Sequence, residues 1–296
     1  VEVLPVEADD AWLRDTGPCF TCSTRGERRA LAFRFNAWGG AEGGLYADWS
    51  RDAMVAARIA ELAGWPWRQV PLVLEGGAIH GDGAGTGLST ATCLPAANRN
   101  PGMSRSELEA SLREWLGFER LIWLPAGLAG DETGGHIDNL ACFLAPGRVA
   151  VAATDDPASP HAEACRLARQ VLEAARDARD RPLEIVPIPL PEGVSPMSAA
   201  EAAGVLPCAG SRPRRAGTPL TASYLNVVFA TGAVVIPSFG VDTDLAACRA
   251  WAAALPGRRI VQFPAAASRE ILLGGGGLHC VTLGEPGPAG APPDSG

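Results

Sequence analysis

The chain has 296 residues, 47% of them apolar and only 6% aromatic, with 35 glycines and 25 prolines; that balance supports a folded core cut by many turns and excludes a disordered or fibrous chain. All 25 basic residues are arginine, so a Schiff base, a pyridoxal phosphate anchor and a phosphate-loop lysine are excluded together. The net charge of −8 disfavours nucleic acid as a partner and favours a small cation.

Taken in chain order, short apolar runs recur, each ending at a polar or Gly-rich turn. They are VEVLPVE at the start, RQVPLVLE around Val70, RLIWLPA around Ile122, LEIVPIPLP around Ile185 and RIVQFPA around Val261. Four candidate hairpins alternate with them: GPCFTCSTRGERRALAFRF, AIHGDGAGTGLSTATCL, NLACFLAPGRVAVAA and SYLNVVFATGAVVIPSF, each with Gly or Pro at the turn. An amphipathic stretch follows each hairpin. The first, Asp48 to Ala63, has Met54, Val55, Ile59 and Leu62 at helical spacing; the second, Ser104 to Leu116, opens with Ser104 and Glu107 as a capping box. Pro157 to Ala178 and Asp242 to Leu255 complete the set. The predicted unit is strand, strand, helix, strand, read four times, hence an α/β fold of repeated modules. An open sheet with mixed connections is the alternative topology.

A fifth unit is incomplete. ILLGGGGLHCVTL supplies one strand near the C-terminus, and VEVLPVE could close the ring from the N-terminus. Between them a strand and a helix are missing, so the chain is expected to lack several dozen N-terminal residues. Its catalytic domain is expected over residues 1–283, with a disordered Pro/Gly-rich tail over 284–296. The segment from Pro191 to Thr221 reads as a loop insertion. No run approaches 18 apolar residues, so no membrane span is expected, and eight cysteines are too sparse for a disulfide scaffold, which points to a cytoplasmic protein.

The chemically capable residues fall at similar places in the repeat. Asp15, Glu75, His136, Asn226 and Cys280 each lie beside a Gly-rich or acidic turn, with separations of 60, 61, 90 and 54 residues. In a ring of modules, equivalent positions point towards one axis, so these five are expected to share a cavity. Each has a plainer reading as well. Cys280 could be a small buried hydrophobe, Asp15 a turn or cap residue, and Trp12 a core side chain. His136 and Asp138 in GGHIDN, two apart on an extended segment, share a face and pair an imidazole with a carboxylate. Glu75, if buried, needs a partner, and His136 is the candidate. His279 is set aside as a base because, beside Cys280 on a strand, it would face away. His80 reads as structural and His161 as solvated. Cys19 and Cys22 form a CxxC without a second pair, and GDGAGTG from Gly81 leads into a strand, so neither a zinc site nor a dinucleotide loop is expected there. Metal ligation by His136, Asp138 and Glu75 is an alternative to the metal-free reading.

A thiol, an imidazole and three carboxylates suit nucleophilic attack on a guanidinium, which is planar and cationic at every physiological pH. Asp15 and Asp138 could grip its N–H forks and aim its carbon at Cys280, whose thiol an arriving cation would help to ionise. Trp12 could stack on the cation. DDAWLRDTGP, LEGGAIHGDGAGTGLSTATCLPAANRNP, GGHIDN, SYLNVVFATGAVVIPSFG and ILLGGGGLHC, taken in order from about Val3 to Thr282, resemble the agmatine deiminase family of the guanidino-modifying superfamily. The resemblance implies a five-module α/β propeller (pentein), agmatine as substrate, N-carbamoylputrescine and ammonia as products, no metal or organic cofactor, and a homo-oligomer. By motif it implies Cys280 as the nucleophile and His136 as acid and then base. Asp15 and Asp138 become the clamp, Glu75 the partner of His136 and substrate, and Trp12 and Asn226 substrate-binding residues. Gly277 departs from the Asn usual in the family. Deimination of free or peptidyl arginine, and a non-catalytic binding paralogue, are the competing readings.

Overall fold

The computed structural model describes residues 2–23, 25–206 and 210–285. A single helical turn, α1 (Leu13–Thr16), leads into the first of four three-stranded sheets. That sheet holds β1 (Cys19–Cys22), β2 (Arg28–Arg34) and β3 (Trp67–Val73); the short α2 (Gly40–Gly43) and the longer α3 (Asp52–Leu62) lie between β2 and β3 in the chain. The second sheet holds β4 (Ile79–Gly81), β5 (Thr86–Thr90) and β6 (Arg120–Leu124), with α4 (Arg105–Leu116) before its last strand. The third holds β7 (Ala141–Ala145), β8 (Arg148–Ala153) and β9 (Glu184–Pro189), with α5 (Ala162–Ala174). After α6 (Ala199–Gly204), the fourth holds β10 (Val228–Ala230), β11 (Ala233–Ile236) and β12 (Arg259–Gln262), with α7 (Thr243–Ala254). The last helix is α8 (Ala265–Leu273).

Every sheet pairs its first two strands antiparallel and its last two parallel, with registers such as Phe20↔Ala30 then Phe33↔Val70, and Phe143↔Val149 then Val149↔Ile185. The helix is the crossover that a parallel pair requires. This is the predicted strand, strand, helix, strand unit, four times over, and the fold is mixed α/β. Local chemistry explains the breaks. Gly147 and Gly232 take φ of +80° and +67° in the hairpin turns, a region that a side chain resists. Ser104 and Glu107 form the capping box of α4, and Gly117 ends that helix in a left-handed conformation. The middle strand of each sheet is the most buried, which is why three of the four read as nearly continuous apolar runs, ALAF in β2, VAVA in β8 and AVVI in β11, while β5 is the buried but mixed TGLST.

The main core joins the third and fourth units through residues such as Leu140, Val151, Leu172, Val234 and Trp251. A second cluster, including Phe33, Leu72, Leu108 and Trp123, joins the first two. A small third cluster holds Trp12, Phe35, Trp38 and Cys280. Among the described residues no helix is long and apolar enough to cross a membrane.

Three sequence expectations are corrected. VEVLPVE is no strand: residues 2–8 carry no regular structure, and Val3 is 88% exposed. It pairs with no strand among the described residues, and Pro5 lacks a donor. ILLGGGGLHCVTL is no strand either. Ile271–Leu273 end α8, and the glycines and the residues after them run through turns without β pairing. The insertion from Pro191 to Thr221 contains α6, capped by a Ser198–Glu201 box and tied down by the Glu201–Arg269 ion pair at 2.5 Å. Residues 286–296 of the expected tail lie outside the described residues.

Candidate active site

One side of the site is built from charge. Asp15, on α1, is buried, and its two carboxylate oxygens accept hydrogen bonds from Gly77 N–H and Trp38 Nε1–H, each at 2.9 Å. His136 ends the loop before the 3₁₀ turn Ile137–Asn139; Asp131 accepts its backbone N–H at 3.0 Å. That turn, rather than a shared strand face, brings His136 and Asp138 to one site. The imidazole lies between two carboxylates, Nδ1 at 3.8 Å from Asp15 Oδ2 and Nε2 at 3.9 Å from Glu75 Oε2. Glu75 follows β3 and opens the turn Gly76–Ala78. Its other oxygen accepts Arg99 Nε–H at 2.6 Å, an ion pair with both side chains buried. Arg99 also donates to the Thr133 carbonyl at 2.6 Å. Sequence reasoning missed Arg99. The signal was available: a buried Glu in a chain without lysine needs an arginine or a histidine, and NRN lies 24 residues downstream.

These neighbours set the protonation states. Burial alone would lower the His136 pKa, but Asp15, then Cys93 and Glu75, hold it well above its usual 6.5. Burial pushes Asp15 up to about 6 against the pull of His136, with Asp138 and Glu75 adding repulsion. Glu75 goes the other way: its burial is outweighed by His136 and Arg99, and its pKa falls below 4.5. Gly77 sits in the middle of this group. A Cβ there would stand 2.5 Å from His136 Nδ1, 2.9 Å from Asp15 Oδ1 and 3.1 Å from Asp138 Oδ2, so only glycine fits.

The other side is built from hydrogen bonds around the thiol. Cys280 is buried; Asn226 Nδ2–H donates to its Sγ at 3.4 Å, and Asp138 Oδ2 lies 3.6 Å from it. Asn226 also donates to Asn139 Oδ1 at 3.0 Å and accepts His279 N–H at 2.8 Å. His279 does not face away from the site. Its Nδ1 meets Asp138 Oδ2 at 2.8 Å, because residues 278–281 form a turn and the alternation of a strand does not apply. Burial raises the Asp138 carboxyl, but this hydrogen bond together with the charges of His279, His136 and Arg14 outweighs it and keeps the carboxyl below the usual range. Burial, reinforced by the anions Asp138 and Asp15, pushes the Cys280 thiol well above its ordinary pKa.

The glycine run makes room for its neighbours. A Cβ on Gly276 would lie 2.4 Å from the Trp12 ring, and one on Gly277 would lie 2.3 Å from Asn226 Oδ1. Gly277 therefore allows the Asn226 contact with the His279 backbone. Arg14 N–H donates to the Cys280 carbonyl at 3.0 Å, tying α1 to the nucleophile segment.

Trp12, Asp15, Trp38, His136, Asn139, Gly274 to Gly276 and Cys280 line one pocket. At its rim Arg214 donates to Glu132 and to the Gly274 carbonyl, both at 2.5 Å. Thus all seven predicted site residues are close to this pocket or to the groups lining it. A roomier hollow beside Pro5, Arg51, Met54 and Arg58 brings together none of them. His80 accepts Phe143 N–H at 3.2 Å, and burial holds its pKa at about 3, in keeping with a structural histidine. His161 is half-buried at the start of α5 rather than fully solvated. Cys19 and Cys22 stand on β1, and GDGAGTG leads into β5 as expected.

Comparison with known proteins agrees with this arrangement. The family model of the Porphyromonas-type peptidyl-arginine deiminases matches residues 1–286. An agmatine deiminase of Ectopseudomonas mendocina is 45% identical, covering 98% of this chain and 78% of the relative. One from Stutzerimonas stutzeri is 46% identical over 97% and 77% respectively. The solved agmatine deiminase of Enterococcus faecalis superposes with a TM-score of 0.86 at 36% identity, covering 91% of this chain and 73% of that one. On a match that runs almost from end to end, the chain belongs to the Porphyromonas-type peptidyl-arginine deiminase family.

Proposed function

We propose that this chain hydrolyses the guanidinium of agmatine to N-carbamoylputrescine and ammonia through a covalent amidino-cysteine on Cys280. The observation that carries the reading is a buried thiol beside two carboxylates and a charged imidazole in one pocket. Asp15 and Asp138 receive the guanidinium N–H groups, and Trp12 and Trp38 wall the flat cation. The arriving positive charge lowers the cost of ionising Cys280, which the two resident anions otherwise oppose. The thiolate adds to the guanidinium carbon and forms an S–C bond. His136, held protonated by its carboxylate neighbours, gives a proton to the departing nitrogen as the C–N bond breaks and ammonia leaves. The now neutral His136 takes a proton from water, the resulting hydroxide adds to the amidino carbon, and the S–C bond breaks to return the thiolate. One water is consumed and one ammonia released, with no redox partner required.

Support for agmatine over arginine comes from the rim. Arg214, the cation that could otherwise answer an α-carboxylate at the rim, is engaged by Glu132 and the Gly274 carbonyl. The relatives named above are agmatine deiminases. The wider five-module ring over residues 1–283 is proposed on the four repeated units and on the Arg14–Cys280 tie between the first and last segments; a homo-oligomer and a cytoplasmic location are proposed with it.

The test is ammonia release from agmatine, free arginine and a peptidyl arginine, with mass spectrometry of quenched enzyme. Agmatine is expected to turn over fastest, with an adduct that Cys280→Ala abolishes. Faster turnover of arginine, or an adduct that survives Cys280→Ala, overturns the reading.

A further inference from the structure

Behind His136, on the side away from Asp15, lies a group that the reaction does not use as a whole. A carboxylate oxygen of Glu75, an imidazole nitrogen of His136 and the thiol of Cys93 all lie within 4.8 Å of one another, and all three residues are buried. Glu75 Oε2 and His136 Nε2 have no hydrogen-bond partner, although each side chain is at most 1% exposed. Buried polar atoms left in this way are costly. At 3.9 Å the two are too far apart to satisfy each other.

We propose that Glu75, Cys93 and His136 form an inhibitory site for a borderline-soft divalent ion, with Zn²⁺ as the best match. One carboxylate oxygen, one imidazole nitrogen and one thiolate are a donor set that zinc favours, with a water completing four-coordination. Zinc bonds of about 2.0–2.3 Å place tetrahedral donor atoms roughly 3.3–3.8 Å apart, so the set, now spread over as much as 4.8 Å, closes on the ion by a contraction of about 1 Å at its widest pair. The outer contacts already orient two of the ligands: Arg99 fixes the other oxygen of Glu75, and Asp15 Oδ2 lies 3.8 Å from the other nitrogen of His136. Coordination displaces two protons to solvent, one from the Cys93 thiol and one from the His136 imidazolium, and the metal takes the Nε2 lone pair so freed. The metal is therefore an inhibitor of acid–base chemistry at His136, and it stands apart from the nucleophile Cys280.

The metal-binding half of this proposal is independent of the proposed reaction; the inhibition half rests on it. The binding test uses the full chain, stripped with a chelator and titrated with Co²⁺. One equivalent is expected to give a near-ultraviolet thiolate-to-cobalt charge-transfer band with the visible bands of four-coordinate cobalt. The band is expected to persist in Cys280→Ala and to vanish in Cys93→Ala and Cys93→Ser. No band in the wild type, or loss in Cys280→Ala with retention in Cys93→Ala, overturns the site. Should both Cys93 variants fail to melt cooperatively, X-ray absorption of zinc-loaded wild type and Cys280→Ala decides: one sulfur in the metal shell of both supports the site, and none in Cys280→Ala overturns it. With agmatine as substrate, Zn²⁺ is expected to inhibit reversibly, and half-inhibition to need at least about tenfold more Zn²⁺ in Cys93→Ala. Stoichiometric cobalt binding without agmatine turnover would sink the proposed reaction and leave the site standing. Turnover that Zn²⁺ inhibits equally in wild type and Cys93→Ala overturns the inhibition.

Discussion

The two sides of the pocket are stabilised by different means. On the Glu75–His136–Asp15 side, charges are paired before any ligand arrives: Arg99 holds Glu75, and the carboxylates hold the imidazolium. On the Cys280 side, the contacts come from amide and imidazole N–H groups, and the thiol is kept neutral. The first side is charged in advance and sits between the regular sheets. The second is built on an irregular glycine-rich turn, and its charge depends on a cation that comes from outside. A proton donor has to be charged before the leaving group departs, whereas a nucleophile needs to ionise only when an electrophile is present.

The largest break in that contrast is expected from Arg99→Met. Removing one partner of a buried ion pair costs about 3–5 kcal/mol, and it leaves Glu75 uncompensated beside His136. Denaturant unfolding should register the lost stability, and kcat should fall with it; an unchanged midpoint would refute the pairing. Next comes Gly77→Ala, whose Cβ would stand 2.5 Å from His136 Nδ1. A displacement of this order is expected to lower kcat/KM about 100-fold while the fold holds, checked by turnover alongside circular dichroism.

Asp15 sharpens the comparison by pH. Its folded pKa of about 6 lies above the ordinary 3.8, so its contribution to stability is full below 3.8 and is lost as the pH rises through about 6. By linkage the loss amounts to about 3 kcal/mol, to be measured as the change in the wild-type minus Asp15→Asn stability difference across that window. Activity runs the opposite way: the clamp needs the carboxylate, so kcat/KM for agmatine should fall about tenfold per pH unit below about 6. The smallest effect is expected on the thiol side. His279→Gln keeps a donor towards Asp138 and should cost about tenfold or less in kcat, whereas His279→Phe, which cannot donate, should cost more. Equal rates for the two variants would remove His279 from the site's support.

Much of the fold was legible because the repeat is local. Middle-strand runs such as VAVA and AVVI, the turn glycines and the capping box at Ser104 each act within a few residues. The segments that misled were those whose partners are remote. VEVLPVE has the composition of a strand but pairs with none among the described residues, and the run at Gly274 to Gly277 serves as space for Trp12 and Asn226 rather than as backbone for a sheet. Alternation along a supposed strand put His279 on the wrong side, since the segment turns and both His279 and Cys280 reach Asp138.

By itself the sequence determined the repeated unit, the cationic preference and the candidates Asp15, Glu75, His136, Asp138, Asn226 and Cys280, because periodicity, net charge and residue chemistry are properties of the chain. Only the tertiary structure decided which of them meet and in what charge state. Arg99 on Glu75, Cys93 behind His136 and Arg214 across Glu132 are pairings between segments distant in sequence. A pKa depends on burial and on neighbours within a few ångströms, and those are fixed only when the modules pack.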